Sequence, residues 1–153
     1  MKNNLSLLAL LLPFFIKAQV PSILKDLSPG SASTTVVQLY AMPNNDVLFS
    51  ASTNSSTTSG IYVSDGSTAG TQILKSFGNG KNLSTSSFLP YNGKVYLNAG
   101  TSYTAAPLWR TDGTTAGTDS VPIQGLTSAG LNGIRTMTVF LNLIFMEGYG
   151  NKL

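Results

Sequence analysis

Asp65 and Asp112 are the carboxylates whose neighbours invite chemistry. Each opens a loop dense in oxygen donors, DGSTAGT from Asp65 to Thr71 and DGTTAGT from Asp112 to Thr118. Carboxylate, hydroxyl and carbonyl oxygens are what calcium prefers, but calcium loops of the EF-hand kind place several acids at fixed offsets. Each loop here carries a single carboxylate, so no metal site is expected. A structural role accounts for the same residues. The aspartate accepts hydrogen bonds from backbone amides just ahead, Gly66 or Gly113 takes a positive φ, the next hydroxyl closes the loop, and Gly70 or Gly117 redirects the chain.

Other chemistry is thinly supplied. The chain has no His and no Cys, which excludes Ser-His-Asp, Cys-His and His-based zinc constellations within it and leaves no disulfide. A glycosidase needs two carboxyl groups facing one cleft. The six acids are Asp26, Asp46, Asp65, Asp112, Asp119 and Glu147, and nothing in their spacing marks a pair. Gly78-Asn79-Gly80-Lys81 lacks the spacing and the following helix of a phosphate loop. No catalytic, cofactor-binding or metal-binding residue is assigned, and the chain is read as not an enzyme.

The two loops lie 47 residues apart, and the residues before them also correspond: Ile61, Tyr62, Val63 and Ser64 stand where Leu108, Trp109, Arg110 and Thr111 recur. That is a strand leading into a loop, repeated. Tyr62 and Trp109 share a slot, with Ile61 and Val63, or Leu108 and Arg110, on the opposite face. A sugar-stacking platform is one use for such aromatics. Core packing between units is favoured, because stacking units require a large side chain at a periodic position.

The unit is clearest from Gln72 to Thr118. Gln72 to Ser76 opens it as a strand, and Gly78, Asn79, Gly80 and a Ser/Thr-rich stretch read as loop. Ser87 to Tyr91 and Lys94 to Asn98 then flank Asn92-Gly93, a pair that favours a two-residue hairpin turn with positive φ at both positions. Leu108 to Thr111 is the fourth strand. Before this unit, Ile23 to Lys25 matches Ile73 to Lys75, Val36 to Tyr40 and Val47 to Ala51 form the hairpin, and Ile61 to Ser64 closes it. After it, Ser120 to Ile123 takes the first place despite Pro122, and Thr136 to Phe140 and Leu143 to Glu147 form a hairpin about Leu141-Asn142 without glycine. The expected fold is all-β, a propeller-like array of four-stranded antiparallel repeats of about 47 residues, incomplete at about two and a half blades. Its repeats are drawn at 19–71, 72–118 and a partial 119–153.

Residues 1–18 read as a signal peptide: Lys2, an apolar run from Leu5 to Ile16, and Ile16 and Ala18 before a cut that leaves Gln19 first. The run is well short of the roughly 20 residues a membrane-crossing helix needs. The formal charge of +3 falls to +1 once Lys2 and Lys17 are removed, with no basic cluster left to hold nucleic acid or an anionic membrane. The destination is periplasmic, cell-surface or extracellular. The third unit stops before its aromatic and its DG loop, so the chain is expected to be a fragment of a longer protein, with open β edges available for self-association.

LWRTDGTTAGT, from Leu108 to Thr118, resembles the ELWxxDGT repeat of exported proteins in Bacteroidetes-type bacteria, with Pro107 in place of the usual Glu. The copy IYVSDGSTAGT departs further, carrying Tyr62 in the Trp position. LKDLSPGS from Leu24 to Ser31 and TSSFLPYNGKVYLNAG from Thr85 to Gly100 fit the same pattern. The resemblance implies propeller-like repeats in long surface or secreted proteins, often exported through a separate C-terminal sorting domain. Asp119-Ser120-Val121 resembles an O-glycosylation acceptor of those bacteria. The function expected is a non-catalytic binding or structural module whose rim loops contact a glycan or a protein. The alternatives are the propeller portion of an exported hydrolase, such as a glycan-degrading enzyme, and a calcium-stabilised array.

Overall fold

The computed structural model describes residues 23–31, 33–53, 58–79, 83, 87–101, 107–123 and 133–148. The expected signal peptide, Gly80-Lys81 and the last residues to Leu153 lie outside the described residues. Within them the chain is all-β, without a helix.

Ten strands form three antiparallel sheets. The first sheet is a meander of β1 (Thr34–Ala41), β2 (Val47–Thr53), β3 (Thr58–Ser64) and β4 (Gln72–Asn79). The second repeats it with β5 (Phe88–Tyr91), β6 (Lys94–Asn98), β7 (Leu108–Thr111) and β8 (Asp119–Val121). The third is the hairpin of β9 (Ile134–Phe140) and β10 (Leu143–Gly148).

The hairpin turns follow from backbone sterics. Asn92 and Gly93 have φ of 48° and 71°, the left-handed pair that matches the twist of antiparallel strands. Leu141 and Asn142 adopt the same turn with φ of 47° and 58°. The leucine is held there against a Cβ penalty of about 1–2 kcal/mol. The first hairpin instead spends five residues on its turn, from Met42 to Asp46, with Asn45 left-handed and Asn45 N donating to Met42 O at 3.0 Å.

Three expectations about strands change. Ile23 to Lys25 is not a strand: Ile23 is 86% exposed, and the segment lies on the first DG loop with no ladder to join. Gly78 and Asn79 belong to β4, not to a loop, because β3 begins early enough to pair Thr58 with Asn79. β8 ends at Val121, before Pro122 would remove a ladder donor. The sheets are also phased differently from the 72–118 unit, since β4 pairs with β3 and closes the preceding sheet.

Sheets pack face to face. Leu48, Ile61, Val63 and Leu74 on one face of the first sheet bury against Val95, Leu97, Ala99 and Trp109 of the second. The opposite face of the second, carrying Leu89, Tyr96, Leu108 and Val121, packs on Ile134, Met137 and Ile144 of the third. One direction of stacking therefore runs through the molecule. Asn98 joins the last two sheets by donating Nδ2 to Ile134 O at 2.6 Å, inside the buried layer. The first sheet's outer face holds Phe49, Ala51 and Tyr62, with Leu27 against them.

Candidate functional site

The repeated loops are the candidate site, and strands β3 and β7 deliver them. In the first, Asp65 Oδ1 accepts from Ser67 N at 2.8 Å and from Ser67 Oγ at 2.7 Å. Ser67 Oγ in turn accepts from Gly70 N at 2.9 Å. In the second, Asp112 Oδ1 accepts from Thr114 N at 3.0 Å and Thr114 Oγ1 at 2.7 Å, and Thr114 Oγ1 accepts from Gly117 N at 2.9 Å. One hydroxyl is thus donor and acceptor at once, which explains Ser or Thr at that position.

A second chain of hydroxyls ties each loop to its strands. Thr71 Oγ1 donates its one proton to Ser67 O at 2.7 Å, so in the 2.7 Å contact between Ser64 and Thr71 the serine donates. Ser64 Oγ also accepts from Gly66 N. The same order recurs as Gly113 N, Thr111 Oγ1, Thr118 Oγ1 and Thr114 O. Such head-to-tail chains polarise and strengthen one another where water is excluded, and Ser64, Thr71 and Thr111 are buried.

The glycines divide their work. Gly66 and Gly113 have φ of 87° and 93°, as the turn demands. Gly70 and Gly117 are needed for space, because a Cβ on either would overlap the carboxylate of Asp65 or Asp112. This close approach was not legible from the residue order.

The electrostatics agree with a loop that wants its aspartate charged. Hydrogen bonds from Ser67 hold Asp65 below the usual 3.8, and those from Thr114 do the same for Asp112. Lys94 Nζ adds a weaker attraction from 3.6 Å of Asp112 Oδ2. The other acids are also engaged locally. Asp119 accepts both Nε and Nη2 of Arg110, at 2.8 and 2.9 Å, which lowers the acid and raises the base. Glu147 pairs with Arg135, Asp26 Oδ1 accepts Ser28 N, and Asp46 Oδ2 accepts Asn44 Nδ2. Among the described residues no three acidic side chains converge as metal ligands.

Tyr62 and Trp109 occupy the same register slot, opposite Phe49 and Leu97 respectively. Trp109 is buried between sheets, its Nε1 donating to Ala99 O at 3.0 Å, with Phe77 edge-on at 5.5 Å and Lys75 Nζ 4.8 Å from the ring centre. Tyr62 stacks on Phe49 at 5.3 Å, its hydroxyl donates to Thr58 O, and burial pushes that hydroxyl's pKa up. Beside it lies an open groove of about 680 Å³, lined in part by Lys25, Asp26, Tyr62, Gln72 and Ser76. Lys25 is drawn into the loop, donating to Thr71 O at 2.6 Å, and Thr68 Oγ1 answers by donating to Leu24 O at 2.7 Å.

No family model, curated protein or solved structure matches the chain.

Proposed function

We propose that the chain is a non-catalytic, exported β-repeat scaffold of the ELWxxDGT kind, propeller-like in arrangement, whose rim loops bind a glycan or a protein. The observation that carries this reading is the fate of the repeated residues: in both loops Asp, Gly and hydroxyl positions satisfy one another. Side chains so engaged serve architecture, and recognition falls to the loops and grooves between repeats. The acids support it too, since each is already engaged by a local hydrogen-bonding or ionic partner. The propeller-like arrangement is supported by the backbones of different sheets coming close at β1 with β5 and β5 with β9, their first strands. Sheets fanning about a common axis converge in that way.

The test is incubation of purified protein with immobilised glycans and peptides, scored for retention and for new reducing ends or termini. Retention without turnover supports a scaffold, whereas released reducing ends would replace it with the hydrolase reading. Export is tested separately: the secreted form should begin at Gln19.

A further inference from the structure

Among the described residues the stacking order leaves two uncovered outer faces, and register shows what each face is. Counting outward from the two-residue turns, Phe140 takes the place of Tyr91 and Phe145 that of Tyr96. On the second sheet this aromatic pair, 6.2 Å apart, is an interface: Tyr96 packs in the cluster with Ile134 and Met137, and the Tyr91 hydroxyl donates to Asn142 O. On the third sheet the equivalent pair, 6.1 Å apart, is bare, with Phe140 61% and Phe145 50% exposed beside exposed Leu143.

The first sheet has the complementary deficit. Leu39 lies opposite Phe49 as Phe88 lies opposite Leu97 and Met137 opposite Met146. Phe88 meets Tyr40 across the first interface and Met137 is buried in the second, yet Leu39 is 65% exposed. Around it a mainly apolar groove of about 320 Å³ is lined in part by Leu24, Leu27, Val36, Leu39, Val47 and Phe49, with Lys25 also on its wall. An apolar cavity of about 150 Å³ already accepts a benzene ring.

We propose that the chain self-associates head to tail, the β1–β2 face around Leu39 of one copy docking on the β9–β10 face around Phe140 and Phe145 of a second. The contact continues the sheet-on-sheet packing inside the chain, where the same two kinds of face meet twice. It uses faces of the terminal sheets rather than their edges, and it stands independently of export or ligand binding. Because the two faces differ, the interface is heterologous and builds a closed ring or an open filament, not a symmetric face-to-face pair.

The experiment is sedimentation velocity of the full chain from about 1 to about 100 µM, a range that brackets micromolar association, together with Leu39→Asp and Phe145→Asp. The parent should exceed monomer mass as concentration rises. Each variant alone should associate at least about tenfold more weakly, since docking would bury an unpaired carboxylate. Mixed one to one, they should form a species of twice the monomer mass and nothing larger, through their two intact faces. A parent monomeric throughout, a variant that self-associates like the parent, or a mixture that stays monomeric would each overturn the proposal. If circular dichroism shows either variant unfolded, Leu39→Ser and Phe140→Ser replace them in the same design.

Discussion

The Asp112 carboxylate occupies the space into which a Cβ on Gly117 would project, and Asp65 stands in the same relation to Gly70. Replacing Gly117 by Ala must displace the carboxylate or shift the backbone, and overpacking of this kind costs about 1–3 kcal/mol. Gly117→Ala is therefore expected to lower the unfolding free energy by that amount, read as a lower urea midpoint at unchanged slope. Pairing it with Asp112→Ala should recover part of the loss, because the obstructing group has gone. Equal and additive losses would show that the two residues do not compete for one space.

Acid should weaken the fold through the same aspartates. Asp65, Asp112 and Asp119 are all held below the ordinary 3.8 by hydrogen bonds or by Arg110. A carboxyl with a depressed folded-state pKa contributes stability that is complete above its unfolded value and lost as pH falls through the folded one. Urea midpoints should hold steady down to about pH 5 and then decline. Asp112→Asn should be less stable near neutral pH and show a shallower decline, whereas a slope identical to the parent's would deny Asp112 its part.

The third hairpin offers a gain. Leu141 sits at φ 47° with a full side chain, and Asn-Gly is the pair that relieves such strain. The double substitution Leu141→Asn with Asn142→Gly should raise stability by about 0.5–1 kcal/mol, read as an upward shift in the melting temperature. A lower melting temperature would mean that Leu141 contributes packing that outweighs its backbone strain.

Much of this architecture was legible because backbone rules are local. Asn92-Gly93 announced its turn, the 47-residue spacing placed Tyr62 and Trp109 in one slot, and Gly66 and Gly113 were expected at positive φ. What stayed hidden depended on contacts between distant residues. The partner of β4 is set by pairing Ile73 with Tyr62, which no pattern within β4 announces. The need for Gly70 arises from the position of the Asp65 side chain rather than from any turn. The slot shared by Tyr62 and Trp109 was readable, but not its cover: Phe77 and Lys75 close over Trp109, while Phe49 stacks on Tyr62.

In both repeated loops the Asp, Gly and hydroxyl groups hydrogen-bond to one another, so the loops are expected to hold their shape without calcium. That expectation is tested most directly by the melting temperature of the purified chain in millimolar calcium and again in chelator. Asp65 and Asp112 already accept two hydrogen bonds each from their own loops, so the two melting temperatures should coincide. Any ligand that binds only the folded state stabilises it by mass action, and a clear rise in calcium, abolished by Asp65→Asn and Asp112→Asn, would contradict the account.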